Sequence, residues 1–167
     1  MAGRAGVCCC LLFSLRVPRI TDLRGQLPTN GQYENRPLAS VQYLVVHHSG
    51  TEHDSSAADI ARYHISLGWP GCGYHFVVRW NGHIEWAQGL EVMSYNVARR
   101  NHEVVGICLP GNYTTRPGRA IQCSAARALI AWLLANSLPG RSVVGHKQIA
   151  LASSPTACPG RLMEWLE

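Results

Sequence analysis

Three segments that lie far apart in this sequence each carry a residue that can bind zinc, and the fold must bring them together to form a single site. The segments are centred on His47, His146 and Cys158. Two imidazoles and one thiolate are suitable zinc ligands, and three protein ligands leave the fourth tetrahedral position open for water. An open position is typical of a catalytic zinc site. Spacing alone gives this interpretation moderate support, because the sequence has neither zinc-finger Cys/His pairs nor a His-Glu-x-x-His motif.

The composition is that of one globular domain. The 167 residues are 47% apolar and 15% charged, with no internal repeats. A chain of this length buries about 70% of its unfolded surface. The formal net charge of +5 favours anionic partners. A bacterial wall, with its peptide carboxylates and acidic polymers, is one such partner. Nucleic acid is not expected, because the basic residues are scattered rather than gathered along one helix.

The amino-terminal part differs from the rest in composition. We expect a leader without packed structure at 1–16, an arm rich in turn residues at 17–40, and the functional domain at 41–167. Arg4 and the apolar run 7–15 resemble a signal peptide, but a small-residue cleavage site is missing. A signal peptide and a mis-assigned start therefore both remain open. Because crossing a bilayer takes about 20 apolar residues, membrane insertion is not expected.

The seven cysteines do not form an obvious disulfide framework. If Cys158 binds metal, six remain, and three of these form the run at 8–10. Cys108 lies in an apolar strand, where a small buried thiol is expected. Cys72 and Cys123 could pair, but the sequence cannot place them within bonding distance. The pairing and the redox compartment therefore stay open.

The hydrophobic pattern mixes strands with helices. Strands are predicted at 41–47, 74–80, 83–87, 104–109 and 143–145, and helices at 57–67, at 124–138 and from about 159. Ser56 and Asp59 form a capping box at the start of the first helix. Asn81-Gly82 predicts a hairpin, because both residues tolerate positive φ. The predicted fold class is a single α/β domain with a central mixed β-sheet flanked by helices.

Two adjacent histidines end the first predicted strand. Side chains alternate between the faces of a strand, so His47 and His48 point in opposite directions. Only one of them can face a metal, and the pattern alone does not choose between them.

Several short motifs, read in order, resemble one family. They are Val46-His47-His48-Ser49-Gly50-Thr51, Tyr63-His64, Gly68-Trp69, Gly73-Tyr74-His75-Phe76, Gly106-Ile107-Cys108-Leu109, Gly111-Asn112, Gly145-His146 and Ala157-Cys158-Pro159-Gly160. They resemble the zinc-dependent N-acetylmuramoyl-L-alanine amidases of type 2, whose superfamily includes phage lysozyme-type amidases and animal peptidoglycan recognition proteins. The resemblance runs from about residue 41 to 162.

The resemblance implies a metal site and selects its ligands. His47, His146 and Cys158 are expected to bind one Zn²⁺ ion, which would activate water and polarise the scissile carbonyl. His48 would then pack behind the site, support it or contact the substrate. Cys158 is the discriminating ligand, because recognition-only relatives typically lack this thiolate. His64 matches a family position but is expected to pack the first helix rather than bind metal.

Tyr74 matches the tyrosine that the family places beside the metal. With an ordinary pKa near 10 it would act as a neutral donor that orients water or stabilises the oxyanion. The alternative is a half-buried strand aromatic that packs against the helix. By strand alternation, Phe76 is expected to share a face with Tyr74 and to pack near the site.

Three positions depart from the pattern of some relatives. Thr156 stands where phage relatives often carry lysine, and it can donate a hydrogen bond but brings no charge. Cys108 stands where another branch has a glutamate base, and it cannot replace that carboxylate. Tyr95 stands where many relatives have histidine; it either stacks on sugar or peptide, or simply packs.

The resemblance implies a monomeric hydrolase that cleaves the amide bond between N-acetylmuramic acid and L-alanine in peptidoglycan. Its partners are then peptidoglycan and muropeptides. Two alternatives stay open, a protein that binds peptidoglycan without cutting it and a zinc ion that only stabilises the fold. The sequence does not distinguish a phage endolysin from a secreted or periplasmic enzyme.

Overall fold

The protein folds around one six-stranded mixed sheet. The computed structural model describes residues 18–165, so the expected leader at 1–16 lies outside the described residues. The strands are β1 (Ile20–Asp22), β2 (Tyr43–His48), β3 (Phe76–Val78), β4 (Ile84–Trp86), β5 (Val104–Leu109) and β6 (Ser142–Gly145). The helices are α1 (Ala57–Ser66), α2 (Ala120–Asn136) and α3 (His146–Ile149). Three 3-10 helices span Leu38–Ser40, Asn101–Glu103 and Gly160–Trp165. The predicted α/β fold class is confirmed.

The order of the strands places the metal-ligand candidates at one edge. The sheet runs β1-β4-β3-β5-β2-β6, and only β3 and β4 pair antiparallel. Because β2, β5 and β6 are parallel, their carboxyl ends meet at the same edge of the sheet. β2 ends in the two adjacent histidines at this edge. No helix within residues 18–165 is long and apolar enough to cross a bilayer.

The arm contributes to the sheet. β1 lies in this turn-rich segment and pairs in parallel with β4 as an edge strand, a strand that the sequence pattern did not predict. The buried Arg36 holds the end of the arm against the domain. Its guanidinium donates hydrogen bonds to the carbonyl oxygens of Leu90 at 2.7 Å and Val104 at 2.6 Å. The arm therefore packs against the same core as the rest of the described chain.

The two faces of the sheet carry different helices. α2 packs against a large apolar cluster that includes Phe76, and α1 packs on the other face with Val77, Cys108 and Tyr74. The prediction that Phe76 shares a face with Tyr74 is wrong. β3 begins only at Phe76, so regular strand alternation does not extend back to Tyr74. Phe76 stacks instead on Trp86, with ring centroids 5.4 Å apart.

The hairpin between β3 and β4 is confirmed, but its turn differs from the predicted one. Only Gly82 has positive φ, at 81°. The N–H of Arg79 donates to the carbonyl of His83 at 2.8 Å, and the Gly82 N–H donates back to Arg79 at 2.9 Å. Asn81 uses its side-chain oxygen to accept from the His83 N–H at 2.9 Å. The loop is therefore longer than a two-residue turn and needs one left-handed residue.

Two predicted helices differ from those observed. α2 begins at Ala120, four residues before the predicted start. In its first turn Gln122 is buried, and its side-chain amide forms hydrogen bonds with the carbonyl oxygens of Val78 and Pro110 and with the Tyr113 hydroxyl. A polar residue in that position hid the first turn from a hydrophobic pattern. The last helix is 3-10. There the N–H of Arg161 donates to the Tyr113 carbonyl at 2.8 Å, a tertiary bond outside the helix.

The two cysteines considered for pairing lie on opposite faces of the sheet. Cys72 belongs to the apolar cluster on the α1 face of the sheet, and Cys123 lies on α2 itself, in the cluster on the other face. Both are free buried thiols. The sheet between them rules out a bond within this fold. Cys108 is also buried and free, as expected for a strand thiol.

Candidate metal centre

The structure brings the three predicted ligands together. One ligand atom from each of His47, His146 and Cys158 lies within 4.8 Å of the other two. Val46 on β2 pairs with Gly145 on β6. The residues that follow this pair in the two parallel strands, His47 and His146, are therefore neighbours. Their ring centroids are 4.7 Å apart.

Cys158 reaches the site from the loop that precedes the last 3-10 helix. Its Sγ lies 3.8 Å from Nδ1 of His47 and accepts the backbone N–H of His48 at 3.3 Å. Its own carbonyl accepts the N–H of Lys147 at 2.7 Å. Because both its backbone and its sulfur are held, the thiol has a defined place beside the imidazoles.

The protonation states of these groups suit a metal. Burial lowers the pKa of His47 well below its ordinary value, and the nearby His146 adds to this effect. Burial also lowers the pKa of His146. Both rings are therefore neutral near pH 7, the form that binds metal. Burial raises the pKa of Cys158 to about 12, and a bound cation would remove that proton. The donor set of two imidazoles and one thiol fits zinc.

His48 lies on the other side of β2, as strand alternation predicts. Its Nδ1 accepts the backbone N–H of Tyr113 at 3.1 Å, which ties the loop after β5 to the end of β2. The side chain is half-buried. This contact is structural, and a contact between His48 and substrate stays a prediction.

Tyr74 lies beside the metal cluster. Its ring centroid is 5.1 Å from that of His47 and 5.7 Å from that of His64. Burial, and then the neighbouring Cys108, raise the pKa of Tyr74 well above its ordinary value. The phenol is therefore a neutral donor near pH 7. Its role in chemistry stays a prediction.

A cavity of about 400 Å³ opens next to Tyr74. Its walls come from the loop after β2, from one side of α1 and from the segment before β3. They are formed by Ser49, Thr51, His53, Ser55, Asp59, Ile60, Tyr63, His64 and Tyr74. His64 is buried in this wall. Its ring packs at a tilt of 41° against Trp69, with centroids 4.5 Å apart, and its Nδ1 accepts the N–H of Gly73 at 2.9 Å. It lies outside the metal cluster, in the packing role expected for it.

Thr156 and Tyr95 occupy different surroundings. The Thr156 hydroxyl accepts the backbone N–H of Cys158 at 3.1 Å, so it shapes the ligand loop and keeps its own O–H free to donate. Tyr95 lies in an aromatic group, with its ring centroid 4.9 Å from Tyr33 and 5.9 Å from Trp69. Tyr95 is half-buried and leaves part of its surface available to a ligand.

Sequence reasoning missed one neighbour of the metal cluster. The side-chain amide of Asn96 adjoins the imidazole of His47, although 49 residues separate the two in the sequence. Asn96 follows Tyr95 in a segment without hydrophobic periodicity. An isolated asparagine in a loop is an ordinary turn residue, so no sequence signal marked it.

Comparison with known proteins agrees with this geometry. The family described as N-acetylmuramoyl-L-alanine amidase (Amidase_2) matches residues 36–161, most of the chain. The chain belongs to this amidase family. The match confirms the resemblance seen in the sequence motifs, and it starts five residues before residue 41, where the resemblance was expected to begin.

Relatives in the family include both recognition proteins and endolysins. Peptidoglycan-recognition protein SC2 of Drosophila simulans is 31% identical over 74% of this chain and 71% of its own length. The endolysin of Enterobacteria phage T3 is 28% identical over 79% of this chain and 89% of its own length. The solved Ph2119 endolysin, from a Thermus scotoductus bacteriophage, aligns with a TM-score of 0.77 and 25% identity, covering 88% of this chain and 98% of that one.

Proposed function

We propose that this protein is a zinc-dependent amidase that hydrolyses the bond between N-acetylmuramic acid and L-alanine in peptidoglycan. The observation that carries the proposal is the cluster of His47, His146 and Cys158, in which the thiol accompanies two neutral imidazoles. Peptidoglycan as target is supported by family membership and by the recognition protein and endolysins among the relatives. All three ligands come from one chain, so the site needs no second copy, and action as a monomer is part of the proposal.

In this proposal Tyr74 and Thr156 act as hydrogen-bond donors beside the metal ligands. When bound, zinc would supply Lewis acidity and would lower the pKa of a water at the site to about 7. Tyr74, held neutral by burial, donates its phenolic O–H to the oxygen on which negative charge develops. Thr156 adds a second, weaker donor through its free O–H. No carboxylate belongs to this cluster within residues 18–165, so the described side chains around it would offer hydrogen-bond donors but no carboxylate base.

The substrate would lie across the cavity beside Tyr74. Its walls present hydroxyls, several aromatic rings and one carboxylate, which suits a muropeptide with sugar hydroxyls and peptide amides. Tyr95 would add an exposed part of its ring to the same side of the site. His48 would orient the loop that holds Tyr113 rather than take part in chemistry.

A second candidate function is recognition of peptidoglycan without cleavage. It is favoured by the 31% identity to a peptidoglycan-recognition protein. The presence of Cys158 beside both histidines favours hydrolysis instead, because a purely recognising site has no need of a thiol that completes a metal cluster.

Digestion of purified peptidoglycan tests the proposal. The zinc-loaded protein should release stem peptides with free L-alanine amino ends, identified by mass spectrometry, and a chelator should stop the release. The Cys158→Ser variant serves as the matched control and should release none. Binding of intact muropeptides without new ends would establish the recognition function and reject the amidase. Ends at any other bond would reject the proposed specificity.

A further inference from the structure

The ligand His47 has one ring nitrogen without a partner. Nδ1 lies 3.8 Å from Sγ of Cys158, so this nitrogen faces the metal cluster. Nε2, on the opposite edge of the ring, is buried and makes no formed hydrogen bond. A buried polar nitrogen without a partner costs stability unless the site has a use for it. The question is therefore which neighbouring group can serve as the hydrogen-bond partner of Nε2.

The side-chain amide of Asn96 adjoins the His47 imidazole, and this amide can have only one orientation. Its Nδ2 donates to the carbonyl oxygens of Gly73 at 3.1 Å and Ser94 at 3.2 Å, and lies 3.3 Å from the Ser94 hydroxyl. Turning the amide over would place its oxygen against these carbonyl oxygens. The amide oxygen Oδ1 must therefore point the other way, and it too is buried without a formed hydrogen bond.

The backbone of β5 at Gly106 makes space for the Asn96 amide. A Cβ built on Gly106 would lie 2.8 Å from both Cγ and Oδ1 of Asn96, so the side chain sits directly on the backbone of β5. β5 runs beside β2, where Gly106 pairs with Val45 and the next inward-facing pair is Cys108 with His47. Because Gly106 has no side chain, the Asn96 amide can lie against the face of the sheet that carries His47.

We propose that Asn96 is a positioning residue that accepts the Nε2–H of His47 and so fixes the imidazole in the tautomer whose Nδ1 is free to bind metal. The two atoms are complementary: a neutral imidazole needs an acceptor for its one N–H, and Oδ1 is an acceptor without a donor. A hydrogen bond at one ring nitrogen decides which nitrogen is left for the metal. The inference rests on the proposed function, because it assigns His47 as a metal ligand.

The tautomer can be measured without substrate or metal. In metal-free protein labelled with ¹⁵N-histidine, long-range ¹H–¹⁵N spectra should show the proton of His47 on Nε2 and none on Nδ1, with a His47→Gln variant identifying the signals. In Asn96→Ala the same ring should become a mixture of tautomers. Asn96→Asp, which keeps an acceptor oxygen, should retain the wild-type tautomer. A proton on Nδ1 in the wild-type protein would overturn the inference even if no variant folds.

Zinc affinity gives a second readout. Competition with a chelator should show zinc binding weakened on the order of 10- to 100-fold in Asn96→Ala, the usual effect of losing a group that orients a metal ligand. Ser94→Ala is the matched control: it removes one oxygen beside the same amide but leaves Oδ1 free, so affinity should stay within about twofold. A folded Asn96→Ala variant with wild-type zinc affinity and tautomer would overturn the inference. If the wild type binds zinc in the stated tautomer but cuts no peptidoglycan, the proposed function fails and the role of Asn96 stands.

Discussion

Sγ of Cys158 lies 3.8 Å from Nδ1 of His47, although 111 residues separate the two in the chain. β2 carries the histidine to the carboxyl edge of the sheet, and the loop after α3 returns the thiol to the same edge. The backbone N–H of His48 then donates to that sulfur. The strand that supplies one ligand therefore also holds the other.

Replacing Cys158 by serine should remove most of the bound zinc. A serine hydroxyl does not ionise near pH 7 and is a poor zinc ligand, so elemental analysis should show well below one zinc ion per chain. Lysis of peptidoglycan should fall with it. Cys123→Ala is the control, since Cys123 lies on α2, which packs against the opposite face of the sheet, and this variant should keep its zinc. A serine variant with full zinc content and full lytic activity would exclude Cys158 as a ligand.

Tyr74→Phe should fold and bind zinc normally but lose turnover. The change removes one hydroxyl while the ring still packs beside His47, so the melting temperature should move little. Loss of one oxyanion donor lowers kcat by about 10²–10³. Tyr43→Phe is the matched control, because Tyr43 lies at the amino end of β2 and its kcat should not change. An unchanged kcat in Tyr74→Phe would assign that residue to packing alone.

His64 should make the protein less stable in mild acid. Burial lowers its pKa from 6.5 to about 4, so between these values the unfolded chain binds a proton that the folded chain does not. Unfolding then becomes more favourable as pH falls from 6.5 towards 4, while the contribution is fully present above pH 6.5. His75, with its pKa lowered to about 3 by burial, acts in the same direction.

Urea unfolding at pH 7 and pH 4.5 measures this effect. His64→Asn removes the titrating group and keeps an acceptor for the Gly73 N–H. Its unfolding midpoint should therefore change less between the two pH values than that of the wild type. Both proteins share every other titrating group, so the difference isolates His64. Equal changes in the two proteins would show that His64 titrates normally in the fold.

Removing the arm should lower stability. A chain that starts at Val41 lacks β1, which pairs with β4, and lacks the two backbone contacts of Arg36. Its melting temperature should lie several degrees below that of a chain that starts at Val17, which in turn should match the full-length protein. Calorimetry on the three proteins checks this. A lower melting temperature for the Val17 chain would show that residues 1–16 contribute to the fold.

The local sequence determined most of the elements that deliver the site. The run 104–109 is a strand over its full predicted length, and α1 begins at the capping box of Ser56 and Asp59. These elements depend on hydrophobic periodicity and on residues three apart, which a sequence displays directly. The three metal-ligand candidates were selected by the resemblance to the amidase family, which the sequence also displays because residue types and flanking motifs are local properties.

Only the tertiary structure decided which groups surround those ligands. Asn96 reaches His47 because Gly106 leaves space on a neighbouring strand. Tyr74 does not share a face with Phe76, because the strand pairing of β3 starts two residues after Tyr74. The arm became an edge strand through pairing with β4, 64 residues further along. Such contacts depend on strand order and on the room left between side chains, and neither is encoded in the spacing of residues along a single element.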